Sequence, residues 1–451
     1  MFRIPALALL LSCSAVAFAA DADKPDKPNK PAAASAPAPA KPGVSMEDIR
    51  LFTAVFGLVK QAYVEPVDDK ALMQAAVHGL LSGLDPHSEY LDARAMDQLS
   101  EDTSGSYDGL GLEVLSTEGT LRVIAPIDDT PAERAGIKPG DIITRIDDKT
   151  ITSDNATEAV NMLRGKSGSS VMLSVLHEGA NTPIDLKLMR ETIKVASVRV
   201  RGLDPGYVYI RIAQFQEDTG AELKTKLAKL GGKQEPWRGA VLDLRSNPGG
   251  LLTSAVEISD DFLDSGKIVS TRGRLKQTDL TFSATPGDLL DGAPMVVLVD
   301  NGTASAAEIV AGALKDNRRA LIMGRRTFGK GSVQTVLPLD DTHAVKLTTA
   351  RYFTPSGTSI QAAGIHPDIE LADLKLTVRD SPPGLITGER DLPNHLKGEH
   401  EKDRREDGSK KNDNLDDYAL SEALNLLKGL ALQHKPLIPN TAAAAVPDKK
   451  G

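Results

Sequence analysis

The chain has 451 residues, a length that suggests about three ordinary domains, and its 53 basic and 62 acidic side chains leave a formal charge of −9. With 41% hydrophobic and 25% charged residues it reads as a soluble globular protein with real cores, and its acidic balance argues against a nucleic-acid binder, which carries a basic face. A single cysteine, Cys13, and eight histidines without a His-Glu-x-x-His pair exclude internal disulfides and a thiolate cluster, so neither a metal nor another cofactor is expected.

Residues 1–19 read as an export signal: Arg3, an apolar stretch over 4–18, and a small-x-small site at Ala17-Phe18-Ala19. The stretch is short of the roughly 20 residues of a membrane span, so the expected location is the periplasm. Leu10-Leu11-Ser12-Cys13 approximates a lipobox and gives the rival reading, a lipidated Cys13, into which Leu11 fits poorly. Residues 20–43 alternate Pro, Ala, Lys and Asp with almost nothing to bury, which is a tether. Over 44–104 the pattern is helical: Ile49, Phe52, Val55, Phe56, Val59 and Tyr63 step by three and four until Pro66, and a second helix over 71–81 ends at Gly83-Leu84-Asp85-Pro86. Such a block packs on a neighbouring domain or on another subunit.

Over 105–192 strands and turns take over. Gly109-Leu110-Gly111-Leu112 is a glycine turn running into a strand; a short helix over 131–136, a strand over 142–146, a helix over 155–163 and a strand over 170–177 follow. In this order the segment resembles a PDZ domain. Backbone N–H groups at Leu110, Gly111 and Leu112 would form a nest for a terminal carboxylate, and the strand after them would offer an edge to an extended peptide. Leu110 and Leu112 border that groove, so the recognised end should not be strongly polar.

Over 193–375 strands alternate with helices, which implies an α/β layer fold with active groups on loops after strands. One motif is a decoy. Gly324-Arg325-Arg326-Thr327-Phe328-Gly329-Lys330 matches a phosphate loop, but Gly331 stands where a magnesium-binding Ser or Thr is required, and the period-two pattern over 332–337 is a strand where a helix must open. Ser305, after the strand over 295–299, begins a helical stripe; with Glu308 it forms a capping box, and the same position suits an acyl-transfer nucleophile facing the helix dipole. A lysine can serve as its base where burial keeps the amine neutral. Lys330 lies between Gly329 and Gly331, which let backbone approach another loop, and Gln334, four residues on, would share its face and fix its direction. His343 and His366 stay open as other bases. Beyond a charged 376–416 segment, read as disordered or loosely held, 417–451 holds an amphipathic helix and a Pro/Ala tail; Tyr418, Leu420, Ala423, Leu424 and Leu427 line a face that packs on the protein's own body or self-associates.

Leu84-Asp85-Pro86-His87-Ser88, the PDZ-like block, the run from Leu242 to Gly250, Gly302 to Glu308, Gly329 to Gln334, Tyr352 to Gly357 and Gly364 to Asp368 occur in unbroken order. In these stretches the chain resembles the carboxyl-terminal processing (tail-specific) proteases, exported serine peptidases with a PDZ domain. The resemblance implies an α+β and α/β multidomain protein: an N-terminal helical block, the PDZ domain, and a layered protease core of the crotonase/Clp-like spiral type. It implies Ser305 as nucleophile, Lys330 as general base, Gln334 as orienter, and an oxyanion hole from the Ala306 N–H with that of Gly249 or Gly250. It further implies Arg164 as a contact between the PDZ domain and the active site, and a resting form with Lys330 displaced from Ser305. The expected partners are protein and peptide substrates with accessible C-termini, a second copy of the chain, and an adaptor or regulatory protein. The alternative is a non-catalytic PDZ scaffold, which has no reason to keep Ser305, Lys330 and Gln334 together.

Overall fold

Helix α1 (Met46–Ala62) starts where the Ser45 hydroxyl accepts from Asp48 N at 3.1 Å, and it has no buried residue, leaving Met46, Phe52 and Val55 exposed. It lies in the first of two compact units, which ends at Leu72; the second begins at Met73. The computed structural model describes residues 43–117, 119–231, 236–372, 374, 396 and 417–433. The export signal, Cys13, nearly all of the tether, most of the charged 376–416 segment and the tail beyond 433 lie outside the described residues. No helix among the described residues is long and apolar enough to cross a membrane.

Helix α2 (Asp69–Ser82) is followed by β1 (Glu89–Leu91) and α3 (Ala93–Ser104), the last opened by the Asp92 carboxylate and closed by Gly105 at φ +68°. Next come β2 (Ser106–Gly109), β3 (Leu112–Thr117), β4 (Thr120–Pro126), α4 (Pro131–Arg134), β5 (Ile142–Ile146), β6 (Lys149–Thr150), α5 (Ala156–Leu163), β7 (Ser170–Leu176), β8 (Ile184–Met189) and β9 (Glu191–Lys194). The sheet runs β3-β4-β5-β7-β8, with β6 on β5, while β2 pairs β9. Along β4 Leu121 and Val123 are buried and Arg122 and Ile124 exposed, the alternation of an antiparallel sheet covered on one face. The covering helix is α5, through Ala159 and Leu163.

The remaining elements are β10 (Val198–Asp204), β11 (Tyr207–Ile212), α6 (Thr219–Leu230), β12 (Gly239–Asp243), α7 (Leu252–Asp260), β13 (Lys267–Gly273), β14 (Thr281–Ser283), β15 (Met295–Val299), α8 (Ala306–Asp316), β16 (Ala320–Gly324), β17 (Ser332–Pro338), β18 (Ala344–Phe353), β19 (Ile369–Glu370) and α9 (Tyr418–Gln433). A sheet ordered β10-β11-β12-β15-β16-β19 is parallel from β11 onward. Both faces of it are covered, so β15 is apolar at every position: Met295, Val297 and Val299 enter the core with α7 and α8, and Val296 and Leu298 face the other way. A second sheet runs β1-β18-β13-β14, with β17 on β18. The residues after Lys330 thus form a strand, which a phosphate loop does not permit.

Helix α9 lays Leu420, Ala423, Leu424 and Leu427 on the outer face of the parallel sheet, against Val241, Val296 and Leu298. Of the two readings of its apolar face, packing on the protein's own body is the one the structure has. Its start is fixed by charge. Arg245 donates to Asp417 at 3.0 and 2.7 Å and to Asp243 at 2.9 and 2.5 Å, and Asp417 Oδ1 also accepts from Leu420 N at 3.1 Å. Burial pushes the Asp417 carboxyl up, but the Arg245 hydrogen bond prevails and holds it below the ordinary aspartate value. Asp417→Ala removes the cap and the fork together. It is expected to cost about 1–2 kcal/mol in denaturant unfolding, the scale of a lost cap and a partly exposed charged hydrogen bond. An unchanged midpoint would mean the clamp contributes nothing.

Candidate active site

Ser305 is 7% exposed and sits immediately before α8 with φ +54° and ψ −117°. A non-glycine residue in that region costs of order 1–3 kcal/mol and persists only where its surroundings fix it. The surroundings here are specific. Ser305 N donates to Glu308 Oε2 at 2.9 Å, and Ser305 O accepts from Glu308 N and Ile309 N at 2.9 and 3.1 Å. The Ser305 hydroxyl meets the Tyr352 hydroxyl at 3.0 Å. Tyr352 comes from β18 and is 5% exposed; burial pushes its phenol up, the bond to Ser305 lowers it, and nearby Glu308 raises it further, leaving it above the ordinary value.

Glu308 joins the Ser305 turn to the Lys330 turn. Fully buried, its carboxylate accepts from Ser305 N and Lys330 N on Oε2, the latter at 2.8 Å, and from Thr327 Oγ1 at 2.5 Å and Gly329 N at 2.7 Å on Oε1. In the sequence Glu308 is legible only as the glutamate of a capping box.

The loop that Lys330 approaches is 361–364. A Cβ on Gly331 would lie 2.6 Å from Gln361 N, and one on Gly329, whose φ is +90°, would lie 3.0 Å from Gly364 N. Glycine on both sides is what that packing admits. Burial, and then the charge of Lys346, push the Lys330 amine below its ordinary value against the pull of Glu89. Lys346 is itself ion-paired to Glu89. Among the described residues the Lys330 side chain makes no hydrogen bond or ion pair, so the structure does not join it to Ser305 Oγ.

Gln334 differs from expectation. Its amide donates to Ser332 Oγ at 2.9 Å and Thr348 Oγ1 at 3.4 Å, not to Lys330. Lys330 lies before β17, which begins at Ser332, so the period-two count along the strand does not reach it; the bulge beside Gln334 has its extra residue, Thr349, in β18 and sets Gln334 opposite Thr348. Thr348 also ties this strand to the Asp85-Pro86-His87-Ser88 turn: its Oγ1 donates to Asp85 Oδ1 at 3.1 Å and its N to Ser88 Oγ at 3.1 Å. Burial first and the Lys330 charge second lower the His87 imidazole.

The loop after β12 lies against Ser305. A Cβ on Gly249 would stand 2.8 Å from Ser305 Cβ and 3.0 Å from Ala306 N. Asn247 fixes the loop: its Nδ2 donates to Ile212 O at 2.9 Å, its O accepts from Ala304 N at 2.9 Å, and its Oδ1 takes the Gly249 N–H at 2.8 Å. The Gly249 amide is therefore engaged. Gly250 N and Ala306 N make no hydrogen bond among the described residues, and Gly250, at φ +134°, packs so tightly on Phe215 that a Cβ would meet its carbonyl oxygen at 2.1 Å.

In the PDZ-like unit β3 is an edge strand, and the Leu110 and Gly111 carbonyls before it accept from Ala132 N and Ile127 N at 3.0 and 2.8 Å. Leu110 is buried, and Gly111 is pressed on the Thr130 side chain at φ +77°. Gly109 N belongs to β2, paired with Glu191. Arg164 is ion-paired to Glu101 of α3, with its guanidinium 5.1 Å from the Tyr107 ring centroid. Its contacts are with α3 and β2, not with the loops around Ser305. His343 bonds Asp340 at 2.9 Å and stacks on Tyr90, and the His366 carbonyl accepts from Lys315. Neither histidine bonds Ser305. Among the described residues no group of three or more His, Cys, Asp or Glu is placed to hold a metal ion.

By its family matches the chain is a serine-type peptidase with a PDZ domain. The chain belongs to the carboxy-terminal processing proteases of peptidase family S41. Residues 206–371 match peptidase family S41, 109–188 the PDZ domain and 13–95 the activating protease CtpB N-terminal domain. The carboxy-terminal-processing protease of Bartonella bacilliformis is 43% identical over 382 residues, which cover 84% of this chain and 88% of that protein. The carboxy-terminal processing protease CtpA of Bacillus subtilis is 37% identical over 335 residues, 73% of this chain and 71% of that one. Among solved structures, a photosystem II D1 C-terminal processing protease is 33% identical, with 73% of this chain and 94% of that chain covered and a TM-score of 0.43.

Proposed function

We propose that this protein is an exported, periplasmic endopeptidase that takes the unstructured C-terminus of a protein substrate into its PDZ groove by strand addition and cleaves the chain through an acyl-enzyme on Ser305. Neutral Lys330 Nζ takes the Ser305 Oγ proton as Oγ bonds to the scissile carbonyl carbon, and the carbonyl π pair moves onto its oxygen. With the Gly249 amide held by Asn247, the amides of Gly250 and Ala306 are the ones left to receive that oxygen, at the positive end of α8. The ammonium then gives its proton to the departing nitrogen as the C–N bond breaks, leaving an ester on Ser305. Water, deprotonated by the same amine, releases the acyl product. Since Lys330 and Ser305 are not bonded in this structure, their hydrogen bond belongs to the substrate-engaged state, with Gln334 turning from Ser332 to the amine. Self-association and an adaptor would act on that transition. The export assignment rests on residues 1–19.

The observation that carries this reading is the single carboxylate, Glu308, that fixes both the Ser305 turn and the Lys330 turn. Mass spectrometry of an unstructured protein incubated with wild type and with Ser305→Ala tests it. The wild type is expected to yield fragments that depend on the substrate's C-terminal residues, and the variant none. Ser305→Ala is expected to lose at most about 2 kcal/mol of stability, because Tyr352 alone loses a partner. Cleavage by the folded variant would remove Ser305 as nucleophile.

A further inference from the structure

The hydroxyl of Tyr352 belongs to a residue that is 5% exposed, and its hydrogen-bond partner among the described residues is Ser305 Oγ, at 3.0 Å. We infer that Tyr352 is a catalytic residue: its phenol donates to Ser305 Oγ and so directs the serine's own proton toward the lysine. The inference rests on the Ser305/Lys330 reading above and adds to it the group that fixes the hydroxyl's direction.

In the resting geometry either hydroxyl could donate, since each has the other as its partner among the described residues. The donor sense is set in the substrate-engaged state, where the Lys330 amine accepts the Ser305 proton and the buried phenol proton needs Oγ as its acceptor. Donation from tyrosine occupies one Ser305 lone pair and leaves the Ser305 proton for an amine. A phenol is also the stronger donor of the two, being much the more acidic. As the Oγ–H bond breaks and the proton passes to Lys330 Nζ, negative charge grows on Oγ while it bonds to the carbonyl carbon. A donor already aimed at that oxygen stabilises the charge without reorganising. The same donor faces Oγ again when the C–Oγ ester bond breaks in deacylation and Oγ recovers its proton from the ammonium. Tyr352 stays a phenol throughout, so the proton count is unchanged.

β18 supplies the placement. Tyr352 pairs with Thr271 of β13, and its N donates to Gly331 O at 2.9 Å, one residue from Lys330. One strand thereby fixes the phenol relative to both the serine and the lysine loop.

The test compares Tyr352→Phe, Ser305→Ala and Lys330→Ala in the full chain, on one peptide substrate and with a fluorophosphonate that labels an activated serine. Tyr352→Phe is expected to lower kcat and the labelling rate at least about tenfold, the loss of one hydrogen bond to a developing charge, with KM within about twofold. The rise of activity with pH, set by Lys330, should not move. A Tyr352→Phe protein with wild-type or higher kcat overturns the inference, since a resting-state latch would give the increase. If that variant fails to fold, trifluorotyrosine at 352 keeps the shape with a more acidic phenol. Activity should then be lost at a lower alkaline pH than in the wild type, and an unmoved alkaline limb overturns the inference equally. An active Ser305→Ala protein would instead bring down the underlying reading, whatever Tyr352→Phe does.

Discussion

Lys330→Arg is expected to be as inactive as Lys330→Ala, each at least about 10³-fold below wild type in kcat/KM, because a guanidinium keeps its proton at any working pH and cannot act as base. The pH profile carries the same expectation. The amine is active when neutral, and burial with the Lys346 charge lowers its pKa below the ordinary lysine value. Activity should therefore rise with pH, with the midpoint of the rise below 10.5, the ordinary value. The linked stability has a definite sign. Between the lowered folded value and the unfolded one, the unfolded chain binds more protons, so stability rises with pH across that window. Lys330→Ala should flatten this slope without lowering stability at neutral pH, since it removes a half-buried cation that makes no ion pair among the described residues. Glu89→Gln adds an independent handle: Glu89 raises the Lys330 value, so its loss should move the activity rise to lower pH. A Lys330→Arg enzyme with measurable turnover, titrated against its labelled serines, would refute the base role.

What could be read in advance was local. The α/β elements around Ser305 and Lys330 follow from short apolar runs and from helix-start chemistry, which act within four residues. The two glycines beside Lys330 indicated a close backbone approach without revealing that its partner is the 361–364 loop. Contacts made across long separations were not legible. Tyr352 stands in a stretch that matches the family, yet only the register of β18 brings its hydroxyl to Ser305. Glu308 looked like an ordinary cap because the Thr327, Gly329 and Lys330 groups it receives come from another loop. Counting alternate residues does not put Gln334 beside Lys330, because the strand begins only at Ser332 and the lysine lies on the glycine-flanked loop before it. Nothing local in the sequence shows that the Asn247 side chain holds the Gly249 amide and leaves that of Gly250 as the one available to the proposed oxyanion hole.

Glu308→Ala carries the second large expectation, and it separates support of the site from support of the fold. Three backbone N–H groups and the Thr327 hydroxyl lose their acceptor in a buried place. An unsatisfied buried donor costs about 1–3 kcal/mol, and relaxation or entering water offsets part of the sum, so a loss of about 3–5 kcal/mol is expected. Glu308→Gln keeps the shape but exchanges one acceptor oxygen for a donor amide. Turned with its oxygen toward Ser305 N and Lys330 N, it still serves that pair. The amide nitrogen then faces Gly329 N, donor against donor, while Thr327 Oγ1, which accepts from Ile365 N at 2.7 Å, can take an amide proton on its second lone pair but loses the acceptor for its own. The expected result is a smaller loss, about 1–3 kcal/mol, with kcat reduced at least about tenfold in the fraction that stays folded, because the lysine turn is no longer fixed relative to the serine. Urea unfolding gives the stability term. Fluorophosphonate titration of the folded protein, followed by kcat per labelled site, gives the catalytic one. Should the Gln variant keep wild-type turnover per site while losing stability, Glu308 would only hold the fold, and the positions of Ser305 and Lys330 would have to be set by something other than their shared carboxylate.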